Sequence, residues 1–331
     1  MLRLPPFTYL APKSLSEAIR LFQENGTDAM FVAGGTDLYP NMKRRQFEPK
    51  VVIGLRQLPE LRQFTAAHGE GFRIGASLTL TQLANHALVR AEHPALATAA
   101  GSVSTPQLRN MGTYGGNLLL DTRCNYYNQT YFWRKSIGFC MKKDGDICLV
   151  APGSPRCWAA SSTDTAPVTV ALDARVRLVG VNGERVIAAR ELYNDDGIAY
   201  LKKAPDEILT EVIIPPAEGL KSVYLKLRRR GAFDFPILGV AVALRQAADG
   251  TVRYAKIVMA AVQSYPLECH AAEQMLIGQK LTPDLIEAVA QAAYKPAKPL
   301  DNTDMAHGYR KKMSRLYVSR ALEMLAGERR E

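Results

Sequence analysis

Two glycine-rich segments constrain this chain more than any other feature, because each brings the backbone close to something. Ala33-Gly34-Gly35-Thr36-Asp37 leaves a short apolar strand expected over Met30 to Ala33. Arg109-Asn110-Met111-Gly112-Thr113-Tyr114-Gly115-Gly116-Asn117 has too many glycines for a helix interior and too few β-branched residues for a strand, so it is expected as a loop. Paired glycines let successive N–H groups converge on an anion, and a threonine hydroxyl adds a donor. Taken singly, the first segment reads equally well as a tight turn. It is not a G-x-x-x-x-G-K-[ST] phosphate loop, and no third glycine completes a Rossmann fingerprint. Two such donor loops on separate parts of a chain suit the two phosphates of a dinucleotide lying between subdomains.

A polar stretch between Asn117 and Ser161 carries four of the five cysteines, Cys124, Cys140, Cys148 and Cys157, spaced C-x15-C-x7-C-x8-C. Four thiolates suffice to ligate an iron–sulfur cluster. A structural zinc site usually includes a C-x2-C knuckle, which is missing here. Disulfides conflict with a reducing compartment. Four inert thiols are out of place beside Lys142-Lys143-Asp144-Gly145-Asp146. A [4Fe–4S] cluster is therefore the expectation, with zinc and no metal as the alternatives. The uneven gaps do not match a compact ferredoxin run, so the loop must fold around its metal. Tyr126, Tyr127, Tyr131, Phe132, Trp133 and Trp158 can give the segment its own small core and screen a cluster from water. Cys269 stands apart and reads as a packed thiol. The histidines (His68, His86, His93, His270, His307) show no ligand spacing. No nucleophile–base or paired-carboxylate pattern is evident, so substrate chemistry is not expected on this chain.

With 331 residues, two or three domains are expected. The start, Met1 to Pro6, lacks a signal-peptide core, and the longest apolar run, Ile237 to Leu244, is far too short to span a membrane. A cytoplasmic chain with no membrane partner follows. The net charge of +10 is spread over short basic runs not interleaved with aromatics, which argues against nucleic acid. An acidic partner such as a ferredoxin fits the sign.

Further elements follow from pattern. Ser14-Leu15-Ser16-Glu17 predicts a capping box opening a helix that ends near Asn25-Gly26. Val51 to Leu55 and Phe72 to Ala76 predict strands, and Thr79 to His86 and Ala95 to Val103 predict helices. Thr169 to Leu172 reads as a helix end and Val176 to Val181 as a strand, with Asn182-Gly183 predicting a hairpin. Val223 to Arg228 alternates, setting Tyr224, Lys226 and Arg228 on a polar face. Ile237 to Leu244 and Val252 to Val262 predict strands, and the pattern from Ala271 onward is helical.

Several of these stretches together resemble the flavin-binding subunit of the molybdenum hydroxylase (xanthine dehydrogenase) family. The resemblance rests on Ala33 to Leu38, Ile74-Gly75-Ala76, Arg109 to Thr113 and Gly115-Gly116-Asn117. It continues through Ser162, Asp164 and Pro167, Ala171-Leu172-Asp173-Ala174, Glu207 to Glu211, Tyr224 with Lys226, Arg230, Asp234, Tyr309-Arg310 and Arg320-Ala321-Leu322. It implies an α+β fold: a two-subdomain FAD-binding module of the PCMH/VAO-like type, then a C-terminal α/β domain with a small antiparallel sheet and helices. The implied divisions are 1–57, 58–218 with an insertion over about 118–160, and 219–331.

By the same resemblance, Val32, Ala33, Gly34, Gly35, Thr36, Asp37 and Leu38, with Asn110, Gly112, Thr113, Gly115, Gly116 and Asn117, hold FAD. Asp164 contacts the flavin tail or adenine-side sugar, and Lys226 approaches the isoalloxazine, a surface lysine being the alternative. Implied partners are a molybdopterin-bearing large subunit and a small subunit with two [2Fe–2S] clusters, in an (αβγ)2 heterohexamer. Most members lack the cysteine insertion. Its text, Cys124 to Gln129, Phe132 to Lys135 and Arg156 to Ala159, resembles the β subunits of the 4-hydroxybenzoyl-CoA reductase group. That implies low-potential electrons from ferredoxin, relayed through [4Fe–4S], FAD and [2Fe–2S] to molybdenum.

Overall fold

A computed structural model describes residues 2–67 and 69–327, which form three β-sheets with helices packed between and beside them. The readings made on Met1 and His68 lie outside the described residues. Strands β1 (Thr8–Leu10), β2 (Ala29–Val32) and β3 (Val51–Gly54) form a small sheet in the order β1-β3-β2, both outer strands parallel to β3. Helix α1 (Leu15–Asn25) crosses from β1 to β2 and buries Ala18 and Phe22. Ser14 Oγ accepts from the Glu17 N–H at 3.2 Å, but Glu17 Oε2 accepts from Lys13 N–H, so the capping box is only half made. β1, three residues long, shows no periodicity that sequence could reveal.

The second sheet is antiparallel, ordered β4-β5-β8-β6-β7, from β4 (Phe64–Ala67), β5 (Gly71–Gly75), β6 (Arg175–Gly180), β7 (Gly183–Ala188) and β8 (Ile208–Ile214). Gly180 pairs with Gly183, so the hairpin loop is Val181-Asn182, one residue earlier than the Asn-Gly pair suggests. Short helices follow in the chain: α2 (Leu38–Lys43), α3 (Leu80–Asn85), α4 (Ala87–Glu92), α5 (Pro94–Ser102), α6 (Pro106–Arg109), α7 (Tyr114–Leu118), α8 (Tyr131–Ser136) and α9 (Thr165–Ala171).

The second glycine-rich segment is thus not a plain loop. Thr105 Oγ1 caps α6 and Thr113 Oγ1 caps α7, accepting from Leu108 N–H and Gly116 N–H. A Cβ on Gly115 would lie 2.6 Å from the Ala76 Cβ. The glycine lets a single helical turn lie against the end of β5, so its lower helix propensity is outweighed by close packing.

The third sheet is antiparallel, ordered β12-β11-β10-β9, from β9 (Leu220–Leu227), β10 (Leu238–Gln246), β11 (Val252–Ala260) and β12 (Leu267–Glu268). Val223, Val240, Val242, Ile257 and Met259 pack with α10 (His270–Leu276), α11 (Pro283–Tyr294) and α12 (His307–Ala326). Tyr224, Ala241, Ala243 and Val258 join the core that includes α5 and α9. Both faces are therefore covered, and the supposed polar face of β9 is interior. Each large apolar side chain so buried contributes about 1.5–3 kcal/mol. Among the described residues no helix is long and apolar enough to cross a membrane.

Candidate cofactor site

A cavity of about 740 Å³ runs between the first sheet, the second sheet and the loop that joins β9 to β10. Val32, Ala33, Gly34, Gly35, Thr36, Asp37 and Leu38 line it, and so do Gly112, Thr113, Gly115, Gly116, Asn117 and Asp164. The two glycine segments meet: a Cβ on Gly34 would sit 2.1 Å from the Met111 carbonyl oxygen. Gly35 has φ +71°, and its Cβ would strike the Tyr39 ring at 2.4 Å, not project into the cavity. Close approach of backbone to backbone explains Gly34, and the left-handed φ with the Tyr39 ring alongside explains Gly35. Apolar Phe31, Leu55, Leu61 and Leu209 line part of the wall, with hydroxyl, amide and N–H groups on the remainder. That combination fits a flavin dinucleotide, which has flat apolar rings and a charged middle.

Two expected residues are not on the wall. Asn110 Oδ1 accepts from Thr81 Oγ1 at 2.7 Å, which turns that side chain onto α3. Lys226 is neither in the cavity nor on the surface. Its Nζ donates to Asp164 Oδ2 and to the Ser102 carbonyl, each at 3.0 Å, with 4% of its side chain exposed. Tyr224 donates to Asp164 Oδ1 at 2.8 Å. Burial pushes the Asp164 carboxyl up, opposed by Lys226, and burial likewise pushes the Lys226 ammonium down, opposed by Asp164. This pair locks α9 to β9 beneath the cavity. Asn117 is a scaffold as well: its Oδ1 accepts from Thr163 Oγ1 and from both Oγ1 and N–H of Thr165.

Residues 118–160 fold back on themselves, closed by paired backbone hydrogen bonds between Arg123 and Ala160 (2.8 and 2.7 Å). Cys124, Cys140, Cys148 and Cys157 are free and buried. Cys124, Cys140 and Cys157 pack in one cluster with Tyr127 and Ala159, and Cys148 lies close enough to repel a Cys157 thiolate. Burial pushes the Cys124 thiol up to about 12 and the Cys157 thiol up to about 11. Held this way, Cys124 and Cys157 stay protonated unless a cation stabilises their thiolates. The Ala159 N–H already donates to Cys157 Sγ at 3.4 Å.

Among the described residues no three Cys, His, Asp or Glu side chains form a site for a single metal ion. Zinc, with Zn–S bonds of about 2.3 Å, needs its sulfurs that tightly drawn together. A four-iron cluster takes one sulfur per corner, four in all.

A polar brace joins this loop to the cavity. Lys142 Nζ donates to Asp121 Oδ1 (2.8 Å), Thr122 Oγ1 (2.7 Å) and the Gly197 carbonyl (2.5 Å), and Tyr127 donates to Asp121 Oδ2 at 2.9 Å. Asp121, Tyr200 and Arg123 line the cavity, and Arg123 pairs with Asp37. Of these, the sequence singles out Asp37 and Tyr127 but gives no role to Lys142, Asp121, Thr122, Arg123, Gly197 or Tyr200. Their roles arise from long-range pairings that leave no local pattern.

The model of the FAD binding domain in molybdopterin dehydrogenase matches residues 5–217, and that of the CO dehydrogenase flavoprotein C-terminal domain matches residues 222–325. The chain is 30% identical to the carbon monoxide dehydrogenase medium chain of Hydrogenophaga pseudoflava over 319 residues, 96% of each chain. It is 30% identical to the nicotinate dehydrogenase FAD-subunit of Eubacterium barkeri (85% of this chain, 83% of that one). It is 32% identical to an aldehyde oxidoreductase FAD-binding subunit of Escherichia coli (82% and 86%). The solved carbon monoxide dehydrogenase of Hydrogenophaga pseudoflava superposes with a TM-score of 0.79 over 97% of both chains. The chain belongs to the family of FAD-binding medium subunits of molybdenum hydroxylases.

Proposed function

We propose that this chain is the electron-transfer subunit of a molybdenum enzyme, carrying FAD in the large cavity and one [4Fe–4S] cluster on Cys124, Cys140, Cys148 and Cys157. The observation that carries the reading is that one loop, braced against the cavity by Lys142 and Asp121, gathers four buried free thiols. When bound, the two groups supply the redox chemistry that links an outside carrier to molybdenum. The protein's own residues hold and insulate them. Gly34, Gly35 and Thr36 on the cavity wall would offer their N–H groups as anion donors, whereas those of Gly112, Tyr114, Gly115 and Gly116 are already bonded to Leu108, Leu78, Ala76 and Thr113. Lys226 and Asp164 fix the floor, and Ala159 N–H places a dipole on one sulfur.

Within the family, the text of the insertion favours a 4-hydroxybenzoyl-CoA reductase. That reaction is the ferredoxin-dependent removal of a phenolic hydroxyl, giving benzoyl-CoA and water, with substrate on a molybdopterin-bearing large subunit and two [2Fe–2S] clusters on a small one. The names of the relatives favour a second reading, in which the same scaffold serves oxidation of an aldehyde or an N-heterocycle. Assaying the assembled complex with reduced ferredoxin and 4-hydroxybenzoyl-CoA, against nicotinate or aldehyde with an oxidising acceptor, separates the two.

Metal analysis tests the core of the proposal. Anaerobically purified chain should hold about four irons and four acid-labile sulfides per flavin. Zinc without iron ends the cluster reading. Cys140→Ser should lower iron while FAD stays bound; unchanged iron removes Cys140 from the ligand set.

A further inference from the structure

Residues 194–200 reach from the cysteine loop to the cofactor cavity. They form a closed turn, in which Asn194 N–H donates to the Tyr200 carbonyl at 2.9 Å. Gly197, in the middle, is buried against a sulfur. A Cβ added to it would lie 2.7 Å from Cys157 Sγ and 2.8 Å from the Ala159 nitrogen, and its N–H donates to the Cys157 carbonyl at 2.9 Å. Only a residue without a side chain permits that approach. Three residues on, Tyr200 lines the large cavity.

Lys142 clamps this turn from the cysteine side. Its Nζ, bonded to the Gly197 carbonyl, lies 4.6 Å from the centre of the Tyr127 ring and 5.3 Å from that of the Tyr200 ring. Tyr127 packs with Cys124, Cys140 and Cys157. One buried cation is thus shared between a ring among the thiols and a ring on the cavity wall, with a cation–π contact to each. Burial pushes both phenols up, so the two rings stay neutral. A second connection runs through Arg123, which lines the cavity and precedes Cys124. Its side chain is saturated up to a guanidinium that is paired with Asp37. An electron crosses an aromatic ring and close-packed atoms more readily than a saturated chain or a gap.

We propose that Gly197 and Tyr200, clamped by Lys142, form the bridge for single electrons between the cysteine site and the flavin cavity, with Tyr200 the positioning residue on the flavin side. In each passage one electron leaves the reduced four-iron cluster, which is oxidised, and enters the flavin, which is reduced. No bond forms or breaks on the tyrosine. The inference rests on the proposed function, because it needs both groups on this chain.

The experiment uses anaerobically purified full chain, with iron and flavin measured first. A flash-reduced deazaflavin delivers less than one electron per chain, and the first-order redistribution between cluster and flavin is followed by absorbance. Tyr200→Leu should slow it several-fold or more with iron and flavin retained, and Tyr200→Phe, which keeps the ring, should restore the rate. Gly197→Ala should lower iron or alter the EPR spectrum of the reduced cluster, because its methyl displaces the Cys157 sulfur. That readout needs no turnover, and it decides the matter where the leucine variant is poorly folded. A wild-type rate in Tyr200→Leu hands the path to Arg123 and overturns the proposal. An equal loss in Tyr200→Phe overturns it as well, since the hydroxyl and not the ring would then be at work. Wild-type iron and spectrum in Gly197→Ala also overturn it. Chain that holds flavin but no iron refutes the earlier functional reading and this bridge with it, whereas both groups present with a rate indifferent to Tyr200→Leu refutes the bridge alone.

Discussion

The glycine-lined cavity and the cysteine loop lie side by side but are built from different materials. Around the cavity, backbone meets backbone: Gly34 abuts the Met111 carbonyl, Gly115 abuts Ala76, and sheets with buried aliphatic cores set the spacing. Residues 118–160 contain one short helix and are held instead by buried cations. Arg134, with almost none of its side chain exposed, donates to the carbonyls of Arg44 and Arg45 and pairs with Asp144 at 3.1 Å. Lys142 holds Asp121 at 2.8 Å. Hydrophobic packing suffices for the first region because its sheets order themselves. The second is too small for a core of that kind and is held by charge pairs.

Breaking a charge pair should therefore damage the loop more than a comparable change damages the cavity. In Lys142→Met the Asp121 carboxylate is left buried without its cation, and a loss of about 3–5 kcal/mol is expected in chemical denaturation. Lys142→Met with Asp121→Asn should recover much of it. A single mutant as stable as the wild type would contradict the assignment of the brace.

On the cavity side, Gly34→Ala forces the two glycine segments apart, an overpacking cost of roughly 1–3 kcal/mol. It should appear as weaker FAD retention on dialysis, with iron content unchanged. Loss of iron together with FAD would show that the two regions are not separable in this way.

A smaller effect sharpens the contrast through pH. His93 is fully buried against the Phe72 ring edge, has no partner on either ring nitrogen, and burial lowers its pKa from 6.5 to about 4. The unfolded chain binds that proton more readily. Stability is thus full above about pH 6.5 and falls as pH drops toward 4, by about 2 kcal/mol between pH 7 and 5. His93→Gln should flatten this slope. An unchanged slope would assign the acid sensitivity to other groups.

How much was legible in the sequence differs between the two regions for the same physical reason. The glycine segments stood out because only glycine tolerates such close backbone approach, and all but Asn110 of the residues expected there line the cavity. Asn110 turns its side chain toward Thr81, a partner 29 residues away that leaves no local pattern. The strands of the third sheet were readable from alternation, but which face was interior was not. Lys226, expected at the isoalloxazine with a surface position as the alternative, instead meets Asp164 and the Ser102 carbonyl, partners distant in sequence. Spacing brought the four cysteines to attention, yet Lys142, Asp121 and Arg134, which hold the loop in place, carry no periodic or motif signal. β1, β4 and β12 are too short to show a pattern.

The double-sided burial of β10 has a bearing on modularity. One recognisable sequence unit ends at residue 217 and another begins at 222, so the chain invites being cut there. Yet Tyr224, Ala241, Ala243 and Val258 belong to the same packed interior as Leu96 and Val168. Severed at that seam, neither half would keep its inner surface dry. The two units have separate sequence signatures but share a fate in folding, and recombination between relatives would have to exchange them as one piece.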